Sequence, residues 1–214
     1  LGFGTAALYP PEVLRKKIKL AKMFQVSVFL GGTFFEIAWY QGRYDWYLDV
    51  VRALGLEHLE ISDGTIELDP GDRRAAMEKA LKLGLTVFSE VGKKDSREDI
   101  PPDSVVDQVK FDLETGASKV ILEGRDSGEA GILYASGGRI REEVWSLVIE
   151  KCDPRQLIWE APKKKQQEEL IRRLGSNVSL GNIPPEEILS LEALRRGLRS
   201  DTLKLYLQSA RGRM

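Results

Sequence analysis

The chain contains almost no cysteine or histidine: Cys152 and His58 are the only ones in 214 residues. A single cysteine cannot close an intrachain disulfide, and such a composition fits a reducing cytoplasm. One His and one Cys also exclude zinc and copper sites of the usual nitrogen and sulfur type. His58 stands at the entering end of its strand candidate and is read as structural. An excess of either charge is missing too, with 32 Lys plus Arg against 33 Asp plus Glu. No basic run is longer than three residues, the length of Lys163-Lys164-Lys165, so an extended nucleic-acid surface is not expected. No apolar run approaches the roughly 20 residues that span a bilayer. The amino terminus carries no basic, apolar, small-residue leader, and the expectation is a soluble cytoplasmic protein with no membrane partner.

What is present is a large apolar fraction, 42% of the residues, enough for a chain of this size to bury about 70% of its unfolded surface. One domain, residues 1–214, is the default reading. Short β-rich apolar runs alternate with stretches of helical period, the sequence form of repeated βα units and a parallel sheet. The strand candidates are residues 1–4, 26–30, 58–61, 86–89, 119–122, 156–159 and 177–180. Runs such as VSVFL and KVIL are apolar throughout, as expected of strands covered on both faces. Pro10-Pro11, Pro101-Pro102 and Pro184-Pro185 suit helix first turns. Gly55, Gly84 and Gly116 suit the left-handed helix stop before a strand. The fold class expected is α/β, a (β/α)8 TIM-type barrel. Because seven strand candidates are counted and LGFGTA reads as the end of a strand with no beginning, the first of the eight strands is expected upstream of Leu1. An open doubly wound sheet is the alternative architecture.

Four consecutive strand candidates end alike, in LEISDG (Glu60, Asp63), FSEVGKK (Glu90, Lys93, Lys94), ILEGR (Glu123, Arg125) and IWEAPKK (Glu160, Lys163, Lys164). The glutamates recur at intervals close to one βα unit, so they are expected at matching heights on the carboxyl rim, where barrel enzymes place their sites. A poorly hydrated cluster of carboxylates needs compensating cations. Magnesium is one such cation, taking oxygen ligands from one or two carboxylates, water and substrate. Glu60, Asp63, Glu90 and Glu123 are the candidate ligands, and spacing does not choose among them. The cations Lys93, Arg125, Lys163 and Arg199 imply an anionic substrate. In SLGNIPPEE, Gly181 and Asn182 precede a proline-capped helix, a possible anion site.

Two other motifs carry less. GFGTAA fits G-x-G-x-x-A, yet no acidic residue ends the following strand candidate where a ribose ligand belongs. The aromatic stretch from Phe34 to Tyr47 is read as core or oligomer interface.

The segments LGFGTAALYP, GGTFFEIA, LEISDGTIEL, SEVGKKD, ILEGRDSG, EAPKKKQQ, LGNIPPEE and LRRGLRSDTL resemble the phosphosulfolactate synthase family, and they run along almost the whole chain. The resemblance implies a (β/α) barrel that adds sulfite to phosphoenolpyruvate with help from Mg2+, in coenzyme M biosynthesis, and a homo-oligomer. It also implies one more strand and helix before LGFGT. Within that chemistry a positioned acid must protonate the phosphate-bearing carbon, with Lys93 as first choice and Lys163 as second. Arg125, Lys163, Asn182 and Arg199 are chosen for anion binding. Bacterial and plant heat-stress-associated relatives leave two other readings: a barrel enzyme forming an enolate from another phosphorylated carboxylate, or a non-catalytic binding protein.

Overall fold

The structure is a computed structural model that describes residues 1–93, 100–129 and 131–211, the side chains of residues 205 and 208–211 excepted. Its elements are α1 Pro11–Met23, α2 Gly32–Tyr40, α3 Tyr44–Ala53, β1 His58–Ile61, α4 Pro70–Lys82, β2 Thr86–Val91, α5 Pro102–Thr115, β3 Lys119–Leu122, α6 Glu142–Lys151, β4 Leu157–Glu160, α7 Lys164–Leu174, β5 Leu180–Gly181, α8 Ile188–Arg195 and α9 Ser200–Arg211. The five strands form one sheet in the order β1-β2-β3-β4-β5, with β1 parallel to β2 and β4 parallel to β5. Sequential order without a reversal is the order of a barrel wall, whereas a doubly wound sheet requires a switch point. The fold class is therefore α/β of the TIM-barrel type. Among the described residues no helix is long and apolar enough to cross a membrane.

Two strand candidates are not strands. Residues 1–4 run into a 3-10 turn, Thr5–Leu8, and residues 26–30 carry no strand assignment. Among the described residues their ladder-like contact is with Leu1, whose terminal ammonium donates to Phe29 O at 2.7 Å and whose carbonyl accepts from the N–H of Gly31, the residue after the segment, at 2.8 Å. Pairing, not apolar composition, makes a strand, and one residue does not make a ladder. The expected helix at Pro184-Pro185 likewise begins as a 3-10 turn, Pro185–Glu187, and becomes α-helical at Ile188.

The chain divides into two compact units, Leu1–Glu98 with Asp107–Val120, and Asp99–Val106 with Ile121–Met214. In the first, Leu59, Ile61 and Val87 of the strands are sealed with Phe35, Tyr47, Leu48 and Val51 of α2 and α3 and Met77 and Ala80 of α4. The aromatic stretch supplies edge-on contacts here, Phe34 with Tyr47 and Phe35 with Tyr44, which is the core role expected of it. His58 stacks on Phe88 with ring centroids 5.5 Å apart. Gly55 and Gly84 stop α3 and α4 at φ of 65° and 76°, as their place before strands required. In the second unit Trp159 and Leu157 of β4, Val144 and Val148 of α6, Leu170 of α7 and Leu133 form the core, with Trp145 packed on Trp159.

Candidate active site

Alternation along a strand puts Glu60 and Ser62 on the opposite face of the sheet from Leu59 and Ile61. The register pairs Glu60 with Phe88 and Ile61 with Ser89. Glu60 and Glu90 therefore share a face, but Glu90 stands two residues, about 6–7 Å, further toward the carboxyl end. The matching heights expected from the repeat do not hold for this pair, because equal spacing in sequence does not fix the stagger between neighbouring strands. Both glutamates are buried.

The entry to α2 is built around Glu60. A Cβ on Gly32 would overlap the Glu60 carboxylate and the Ser62 hydroxyl, so only glycine lets the helix start this close. The positive end of the α2 dipole then lies against a buried carboxylate and offsets its charge. Gly32→Ala is expected to destabilise the protein by about 1–3 kcal/mol, read as a lowered Tm. An unchanged melt would mean that Glu60 and Ser62 yield without cost.

Four residues along the same helix stands Glu36, 1% exposed. Its Oε1 accepts from Ser62 Oγ at 2.5 Å, and its Oε2 has no hydrogen-bond partner among the described residues. Sequence reasoning passed over Glu36 because it lies inside an aromatic run. The available signal was GGTFFE, which puts a carboxylate on the same helix face as Gly32. Tyr47 is also sealed, and burial first, then the charge of Glu60, pushes its hydroxyl far above the usual tyrosine range. It stays a neutral group beside that carboxylate.

Asp63 and Lys93 form an ion pair. Lys93 Nζ donates to Asp63 Oδ2 at 2.8 Å, to Asp63 O at 2.7 Å and to Ile66 O at 2.9 Å, so all three ammonium donors hold it to the segment after β1. Its side chain is nevertheless 34% exposed. Asp63 Oδ1 accepts from Arg73 Nη1 at 3.1 Å. With each oxygen engaged by a cation, Asp63 serves as an ion-pair anchor. Arg73 was also missed, although the α4 residues 73, 76, 77 and 80 are buried at helical period, which the sequence displays. Lys94 lies outside the described residues.

In the second unit, Glu123 is buried and its Oε1 accepts from Arg125 N–H at 2.9 Å, while Glu160 Oε2 accepts from Gly124 N–H at 2.8 Å. Two carboxylates thus shape the turn leaving β3. Arg125 and Asn182 both have left-handed backbones, with φ of 60° and 55°, a conformation that collects at functional sites. Asn182 Nδ2 reaches Asp126 Oδ1 at 3.4 Å. Lys163 Nζ is ion-paired with Glu129. The KKKQQ motif does more than supply charge. Gln166, fully buried, donates to Gly128 O at 2.7 Å and Gly138 O at 3.2 Å and accepts from Lys163 N–H at 3.0 Å. It thereby clamps the loop carrying Arg125 to the start of α7. Arg199 stands apart from these residues in its bonding, donating to Ser190 Oγ at 2.8 Å and facing Asp201 at 3.4 Å.

Among the described residues no three His, Cys, Asp or Glu side chains gather as a metal cage. Magnesium asks for less, one or two carboxylates with water and substrate oxygens, and Glu60 and Glu90, on one face of the sheet, are oxygen donors of that kind.

Comparison with known proteins places these features. The family model described as (2R)-phospho-3-sulfolactate synthase (ComA) matches residues 1–201. The chain is 43% identical over 204 residues to the phosphosulfolactate synthase of Methanothermobacter thermautotrophicus, covering 94% of this chain and 79% of that protein. It is 39% identical over 203 residues to that of Methanocaldococcus jannaschii, covering 94% and 81%. It is 36% identical over 208 residues to that of Bacillus subtilis, covering 95% and 81%. The family match from the first residue to the start of α9 and these three relatives lead to one assignment: the chain belongs to the phosphosulfolactate synthase family and is an enzyme of that type.

Proposed function

We propose that the enzyme adds sulfite to phosphoenolpyruvate, forming 2-phospho-3-sulfolactate in the cytoplasm. The sulfur lone pair attacks the methylene carbon, the C–S bond forms as the C=C π bond breaks, and a proton is delivered to the carbon that keeps the phosphate. Sulfite is already nucleophilic, so the protein must stabilise charge on the substrate carboxylate and supply that proton.

Lys93 is the proton donor in this reading. The observation that carries it is the fixed Asp63–Lys93 pair at the ends of β1 and β2, with the Lys93 side chain held yet partly exposed. To donate, Lys93 exchanges one of its three protein acceptors for the substrate carbon. Glu60 and Glu90, with Glu36 behind Ser62, would hold magnesium, which supplies positive charge to the developing aci-carboxylate. Asp63 is then a support for Lys93 and not a ligand, and Glu123 braces Arg125. Arg125, Lys163 and Asn182 would bind phosphate or sulfonate oxygens. Arg199, engaged with Ser190 and Asp201, is read as a brace between α8 and α9. A homo-oligomer is proposed on the exposed Tyr40 and Ile37 of α2 and is tested by light scattering.

Incubating the protein with phosphoenolpyruvate, sulfite and magnesium, with mass detection of the adduct, tests the reading. The expected result is adduct formation that requires all three. Phosphoenolpyruvate binding without adduct would replace sulfite addition with enolate chemistry on a related acid. Binding of neither substrate would overturn the catalytic reading.

A further inference from the structure

We propose that Arg73 is a positioning residue that sets Lys93 and the carboxyl end of β2, an inference that rests on the role given to Lys93 above. Arg73 is 1% exposed and has no route to a substrate of its own. Its guanidinium grips Asp112 of α5 bidentately, Nε to Oδ1 at 2.8 Å and Nη2 to Oδ2 at 2.5 Å, and Gln108 bonds the same carboxylate at 2.9 Å. A pair needed only for the core would be complete there. Arg73 goes on to donate from Nη1 to Asp63 Oδ1 and from Nη2 to Glu90 O at 2.9 Å. Asp63 passes this constraint on, because its second oxygen holds Lys93. The ends of β1 and β2 and the amine of Lys93 are thus tied to one planar fork anchored in α5. Burial opposes the charge of Arg73, but the hydrogen bond and charge of Asp112, then the charges of Asp63 and Glu90, outweigh it and raise its pKa. Lysine, a point charge with no rigid fork, cannot span these directions.

Arg73→Leu alone would leave Asp112 buried without a counter-ion and endanger folding. The test therefore uses Arg73→Met/Asp112→Leu, in which both buried charges leave together. Arg73→Lys is the second variant, keeping a charge on Asp112 while withdrawing the reach to Asp63 and Glu90. Two measurements are made on each folded variant: kcat and KM in the adduct assay, and the rate at which an amine-acylating reagent modifies Lys93, read by peptide mass spectrometry. Both variants are expected to melt cooperatively and to lose about 100-fold in kcat, as misplacement of a reacting group does. The KM for phosphoenolpyruvate should change far less, and Lys93 should be acylated several-fold faster than in the parent. Unchanged kcat in a folded variant, with or without faster acylation, would overturn the positioning role. If the parent itself forms no adduct, the functional reading fails separately. The acylation rate then still decides whether Arg73 holds Lys93, and an unchanged rate would refute it.

Discussion

Lys93→Arg is expected to give a folded protein whose turnover has dropped by about 1,000-fold, the scale of a lost general acid. Arginine retains the positive charge and can still bond Asp63, so the network with Arg73 keeps its electrostatic balance. It cannot release a proton at any accessible pH. The substitution therefore separates a proton donor from a fixed charge, which Lys93→Ala, removing both together, does not. Circular dichroism would establish the fold and the adduct assay the rate. Activity within a few-fold of the parent would make Lys93 an electrostatic group and pass the acid role to Lys163, whose amine is engaged by Glu129 alone among the described residues.

Glu60→Gln carries the second large expected effect. The side chain keeps its size, and Gly32 still admits the start of α2, so the core should hold. What is lost is the negative charge facing that helix end. Magnesium affinity, measured by titration calorimetry without substrate, should weaken by about 10- to 100-fold or more, the range seen when a metal site loses even a supporting group. Turnover should fall with it. Metal binding equal to that of the parent would remove Glu60 from the ligand set and leave Glu90 to be tested in the same way.

How much of this was visible in the sequence differs by element, for physical reasons. His58–Ile61 and Lys119–Leu122 were readable to the residue, because each is a short apolar run bounded by a glycine-stopped helix and a polar turn. Residues 26–30 have equally apolar composition but carry no ladder among the described residues, and composition reports burial without reporting the partner. The glutamates at the strand ends were legible because a charge directly after an apolar strand is conspicuous. Glu36 and Arg73 were not, since each sits within a helix whose other residues explain its periodicity. A buried charge shows its purpose only through what it touches. The stagger between Glu60 and Glu90 was hidden for another reason: it is set by hydrogen bonding between strands, which residue spacing does not encode. Asp63 illustrates the remaining gap. Its residue type allows metal binding and ion pairing equally, and only its two cationic neighbours distinguish them.

The left-handed backbones of Arg125 and Asn182 have a consequence for engineering. Glycine at position 125 would relieve about 1 kcal/mol of conformational strain, and any search for greater heat resistance would favour it. The same change deletes the guanidinium proposed above to bind the substrate. A protein selected only for thermal endurance would therefore drift toward a sturdier barrel with a weaker hold on its anions, and screens on this scaffold need to score both properties at once.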